Sequence, residues 1–244
     1  MKLSNKCYCL TGLSHADCFS VNAGFIIGEK ETVIIDSGFN KESAQTILGY
    51  ANAVAPENKV SYLINLEGHY DHIFGNSFFE SKGVKILARE GVSLKQEEID
   101  SYIEECNNEI TIERRRKNKE AYLYFEGVKS FETDIKIKGD TELEIEGVNL
   151  KIYIANGHTD KNIMVYEPMD KVIYVADTIY SDFLPTLAFG NKELWIDWLK
   201  TLELIEDLKP EILVPGHGRI LYGEEIYEEI SRHREIILNR INNQ

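Results

Sequence analysis

Apolar residues fall in short runs over the first part of the chain, each closed by a polar turn. Cys18 to Gly28 and Thr32 to Asp36 read as strands either side of Glu29-Lys30-Glu31. The spacing then lengthens. Ala44, Ile47, Leu48 and Ala51 recur at helical intervals between Lys41 and Val54, and Pro56 follows the predicted end. Val60 to Leu66 and Val84 to Ala88 are two further apolar strands. Between them, Glu67-Gly68-His69-Tyr70-Asp71-His72 marks a loop leading into a helix.

From Ser93 to Lys119 the chain is more polar but keeps a helical stripe of Ile99, Ile103, Cys106 and Ile110. Strand patterning resumes after Phe131. Leu143, Ile145, Leu150, Ile152 and Ile154 alternate with polar residues, with Gly147 at a turn. Val172 to Ala176 is wholly apolar and ends at Asp177. Trp195, Trp198, Leu199, Leu202 and Ile205 predict a helix capped by Asn191. Glu211 to Val214 gives a short strand before Pro215-Gly216-His217-Gly218. Ile226, Ile230, Ile237 and Ile241 stripe a last helix, which also carries His233 as a packing or interface residue.

Periodicity alone supports a mixed α/β chain. The order of elements suits a single domain over residues 1–244, built as two sheets face to face with helices outside, a four-layer αββα sandwich. A helical insertion around residues 93–124 is expected to act as a lid or an oligomer contact, with a homodimer left open. The formal net charge of -14 disfavours nucleic acid as a partner. The run Arg114-Arg115-Arg116-Lys117 reads as a solvated helix face. No apolar stretch of signal-peptide length opens the chain, and none approaches the roughly 18 residues that span a bilayer. A cytoplasmic protein with no membrane partner is therefore expected. Cys7, Cys9, Cys18 and Cys106 form no C-x-x-C pair and read as free thiols.

The histidines carry the chemistry. His69, His72, His158 and His217 each sit in a Gly-rich segment directly after an apolar strand, with Asp71 and Asp177 in matching positions. Imidazole and carboxylate donors without thiolate suit a hydrolytic zinc site, with iron or manganese as alternatives.

These segments resemble the metallo-β-lactamase superfamily. Glu67 through His72 is similar to its H-x-H-x-D-H motif, with Glu67 in place of the first histidine. Gly157-His158-Thr159, Asp177, Pro215-Gly216-His217-Gly218 and Val33-Ile34-Ile35-Asp36-Ser37-Gly38 resemble its other motifs, in the family's order. The resemblance implies two divalent metal ions. His69 and His158 would hold the first, with Glu67 as a candidate ligand. Asp71, His72 and His217 would hold the second, and Asp177 would bridge. Asp36 would orient a ligand histidine or its loop.

The implied activity is hydrolysis of a small-molecule ester, thioester, lactone or related substrate by a metal-bound hydroxide. Asp71 would also shuttle a proton. Tyr180 would stabilise an oxyanion or be a buried tyrosine, and Phe183 and Leu184 would line the cavity. Two alternatives remain from the sequence: a diiron redox protein of the same fold, and a degenerate non-catalytic metal-binding protein.

Overall fold

The computed structural model describes residues 1–16, 19–109, 125 and 127–243. The Arg114–Lys117 run, Cys18 and the second half of the expected insertion lie outside those residues.

Two six-stranded sheets form among the described residues. The first runs β1 (Cys7–Ala16), β2 (Phe19–Ile27), β3 (Glu31–Ile35), β4 (Lys59–Ile64), β5 (Lys85–Arg89) and β6 (Ile135–Ile137) in spatial order. The second comprises β7 (Thr141–Ile145), β8 (Val148–Ile154), β9 (Ile163–Glu167), β10 (Val172–Tyr180), β11 (Ile212–His217) and β12 (Leu221–Tyr222), also neighbours in sequence order.

Strand alternation explains the layers. Side chains one residue apart point to opposite faces. Val33 and Ile35 of β3 therefore meet Leu150, Ile152, Val165 and Tyr174 between the sheets. Ile34, between them, faces outward onto α1 (Lys41–Val54) and joins Phe25, Ala44, Ile47 and Leu63. On the far side Ile173 and Val175 of β10 pack under α5 (Lys192–Leu208) and α6 (Glu224–Asn242), against Trp198, Leu202, Ile226 and Ile230. Those three apolar clusters make the four-layer αββα sandwich. Tyr174 adds a polar tie between the sheets, its hydroxyl donating to Tyr8 O at 2.9 Å.

The helices begin where local chemistry provides for their first free amides. Asn40 Oδ1 accepts from Ser43 N at 2.8 Å, and Asn191 Oδ1 from Leu194 N at 3.0 Å. Two short helices, α2 (Tyr70–Ile73) and α3 (Asn76–Glu80), follow β4. Helix α4 (Gln96–Glu109) starts the expected insertion. It buries Ile99 beside Phe125, Val128 and Phe131, and its Tyr102 ring lies 4.2 Å from Tyr70 at the start of α2.

Three features depart from the sequence reading. β1 and β9 are strands that the apolar spacing did not single out. β9 is buried at every position, so it carries no alternation to read. β10 also continues past Asp177 to Tyr180, because β11 runs parallel to it and pairs Tyr180 with His217. The register shifts around Ala176, whose φ is +42°.

Trp198 is fully buried between α5 and β10, and its Nε1 donates to Thr178 O at 2.9 Å. Trp198→Ala should lower the unfolding free energy by about 3–5 kcal/mol. Urea unfolding followed by circular dichroism reads this out. A loss under about 1 kcal/mol would show that the outer layer is not packed as described.

Candidate metal centre

Four strands deliver the site residues to one edge of the sandwich. The segment after β4 carries Glu67, His69, Asp71 and His72. His158 follows β8, Asp177 lies late in β10, and His217 closes β11. All seven residues expected to hold metal come together there, and their donor atoms fall in two groups. Glu67, His69, His158 and Asp177 form one. Asp71, His72 and His217 form the other. Within each group the donor atoms lie within 4.8 Å of one another.

The Asp177 carboxylate reaches both groups. Its Oδ1 is 3.3 Å from His72 Nε2 and 3.2 Å from His217 Nε2, while its Oδ2 is 3.6 Å from His158 Nε2. Asp71 Oδ2 is 3.2 Å from His217 Nε2. Glu67 is fully buried. Its Oε1 lies 2.8 Å from His69 Nδ1 and 3.5 Å from His72 Nε2, and its Oε2 lies 3.6 Å from His158 Nε2.

Three of the four rings are held from behind. His72 Nδ1 faces Asp36 Oδ2 at 2.8 Å, and Asp36 Oδ1 accepts from Leu66 N at 2.8 Å. His158 Nδ1 faces Thr186 O at 3.2 Å, and His217 Nδ1 faces Ser20 O at 2.7 Å. Anchoring Nδ1 leaves Nε2 directed at the centre. His69 is reversed, with Nδ1 inward and 3.2 Å from His158 Nε2. The turn bearing His72 is fixed by Ser37, which donates to His72 O from both its amide at 2.9 Å and its hydroxyl at 3.0 Å.

Charge is concentrated here. Burial by itself would lower the His72 pKa, but Glu67, Asp71 and Asp36 raise it well above the usual histidine range. Burial likewise opposes the charged form of His217, yet Asp177 and Asp71 push it up to about 10. Burial would raise Asp177; His217 and His72 instead take it well below the usual carboxylate range. The centre thus favours ionised groups despite burial. His72 Nε2 and Asp177 Oδ1 are nonetheless buried with no hydrogen-bond partner. Orphaned donors of opposite preference, aimed at a common space, fit a cation between them.

Gly216 and Gly218 permit the close approach. A Cβ on Gly216 would collide with Asp177 Oδ1. One on Gly218, at φ +90°, would collide with Ser181 O.

Tyr180 is buried, and its hydroxyl donates to Asp177 Oδ2 at 2.5 Å. Its ring stacks on His217 at 5.4 Å. In this arrangement its proton is directed at the Asp177 carboxylate. Phe183 and Leu184, expected in the cavity, are 45% and 72% exposed. The ring packed on the site is Phe189, 4.5 Å from His69 and 5.5 Å from His158.

One residue of the site went unread in the sequence. Asn162 is fully buried and its Nδ2 donates to Glu67 Oε2 at 3.3 Å. Its place four residues beyond His158 was the available signal. His233, read as packing or interface, is buried and its Nε2 accepts from Tyr180 N at 3.0 Å, tying α6 to the end of β10.

A family model described as the metallo-beta-lactamase superfamily matches residues 16–217. The chain is 22% identical over 214 residues to a beta-lactamase-like protein 2 homolog of Caenorhabditis elegans, covering 84% of this chain and 60% of the relative. It is 23% identical over 203 residues to metallo-beta-lactamase type 2 of Elizabethkingia meningoseptica, covering 82% and 69% respectively. Among solved structures, a metallo-beta-lactamase from Pontibacter korlensis superposes with a TM-score of 0.72 at 18% identity, covering 98% of both chains. The chain therefore spans under two thirds of the nematode relative's length, and the structural likeness bears on fold alone.

Asp36→Asn keeps an acceptor for Leu66 N but removes the carboxylate behind His72. Divalent-metal affinity should fall about 10–100-fold, read by chelator competition with far-ultraviolet dichroism unchanged. Unaltered affinity would show that Asp36 does not position His72.

Proposed function

The chain belongs to the metallo-beta-lactamase superfamily, and from that premise we propose that it is a metal-dependent hydrolase of a small molecule bearing an ester, thioester, lactone or related bond. The observation that carries this reading is the Asp177 carboxylate, with one oxygen toward each donor group.

Glu67, His69, His158 and Asp177 would hold one divalent cation, and Asp71, His72, His217 and Asp177 a second. Such cations supply electrophilic polarisation of the scissile group and lower the pKa of water toward neutrality. The remaining work belongs to the side chains. Tyr180 holds Asp177 in its straddling rotamer. Asp71, whose Oδ2 lies 3.2 Å from His217 Nε2 and 3.6 Å from His72 Nε2, would be placed to hold a proton for the leaving group. Glu67 sits among the donors, buried, with both oxygens toward histidines, which supports a ligand role over a side chain turned away. Zinc is the proposed metal. A carboxylate where relatives of this motif have imidazole shifts the first position toward harder ions, iron or manganese.

His69 is 27% exposed and marks the open side of the centre. A cavity of about 320 Å³ adjoins it, lined by Gly68, Thr159, Lys161, Phe189 and Leu194 among others. Its size fits a small molecule with an apolar part against Phe189 and Leu194.

Elemental analysis of protein purified without added metal should give about two metals per chain, falling in Asp177→Ala together with loss of hydrolysis across an ester, thioester and lactone panel. Glu67→His should retain metal. Less than one metal per chain with no turnover of any panel member would overturn the hydrolase reading.

A further inference from the structure

We propose that Cys7, Glu167 and Asp170 form a separate binding site for a thiophilic divalent cation of the zinc class. It lies at the end of the sandwich away from the metal centre. One donor atom of each residue lies within 4.8 Å of the others. Glu167 closes β9 opposite Val172, the first residue of β10, whereas Asp177 lies five residues further along that strand. At ~3.3 Å per residue the two sites stand about 16 Å apart.

The decisive feature is Glu167. It has no exposed surface, and its Oε1 has no hydrogen-bond partner. Its other oxygen accepts from Asp170 N at 2.5 Å. A buried carboxylate oxygen without a donor is costly unless a cation or proton meets it. No ion pair reaches Glu167 or Asp170 among the described residues. The lysines nearest in sequence are engaged elsewhere: Lys6 Nζ donates to Gly147 O at 2.6 Å, and Lys171 Nζ to Glu211 Oε1 at 2.6 Å.

The surroundings are preorganised. Asp170 Oδ2 accepts from Lys6 N at 3.2 Å, and Ser4 Oγ accepts from Cys7 N at 3.0 Å. The β9–β10 turn of one sheet is thereby stitched to the first strand of the other. Without a cation, burial holds the Cys7 thiol protonated, pushed up to about 12, with Glu167 and Asp170 adding to the effect. Binding would release that proton to solvent and leave a thiolate, the donor that selects zinc over magnesium or calcium. A cation here would clamp the two sheets together at their second end, as a structural rather than a catalytic ion.

Cobalt(II) distinguishes this site from the metal centre, whose donor set contains no sulfur. Cobalt-loaded protein should show an intense near-ultraviolet thiolate-to-cobalt charge-transfer band, with about three zinc ions per chain on zinc loading. The band should vanish in Cys7→Ser and persist in Cys9→Ser and in Asp177→Ala. Asp170→Asn, on the turn, should weaken cobalt binding at this site about tenfold or more. Absence of the band in the unaltered protein overturns the proposal without any variant, as does its persistence in Cys7→Ser. Loss of activity in Asp177→Ala with the band intact separates the two sites.

Discussion

Three carboxylates and four imidazoles, most of them buried, are gathered at one edge of the fold, their donor atoms within a few ångströms of one another. Desolvating that many ionisable groups is expensive unless opposite charge compensates it. Mutual pairing supplies part of the compensation, since His72 and His217 rise and Asp177 falls in pKa against the pull of burial. It leaves His72 Nε2 and Asp177 Oδ1 without hydrogen bonds. The remainder of the structure can be understood as the apparatus that forces these groups together and aims them.

That apparatus is the pair of sheets. The strands β4, β8, β10 and β11 end at the same edge, so residues distant in sequence become neighbours in space. The inner apolar layer fixes the distance between the sheets. Behind His72, His158 and His217 a carbonyl or carboxylate occupies Nδ1, which keeps those rings from turning away. Asp177 depends on both sides of its position: Gly216 gives it room, Tyr180 holds one oxygen, and His233 anchors Tyr180 through the backbone. A helix at the far surface therefore bears on the geometry of the centre.

Much of this was legible in the sequence. Helix α1 spans the Lys41–Val54 stretch that its apolar spacing marks ahead of Pro56, and α5 starts at the cap that Asn191 offers. The candidate metal ligands stood out because the four histidines each follow an apolar strand within a Gly-rich segment. What escaped was of another kind. β9 is buried at every position and shows no alternation, so it resembles any apolar run. The roles of Asn162 and Tyr180 depend on which atom faces which, and spacing does not encode that. Phe189 replaced Phe183 and Leu184 beside the histidines because the loop before α5 turns the earlier pair toward solvent. The cluster around Glu167 joins residues far apart in the chain, without a motif to announce it.

Glu67 is where this chain departs from the pattern it otherwise follows, and its burial among the histidines makes it part of the centre's charge balance. The most direct test of the whole account is a crystal of metal-loaded protein measured across the metal's absorption edge. Two anomalous peaks should flank the Asp177 carboxylate, one bounded by Glu67, His69 and His158 and the other by Asp71, His72 and His217. A well-ordered centre with the same side-chain positions and no anomalous signal between them would contradict it.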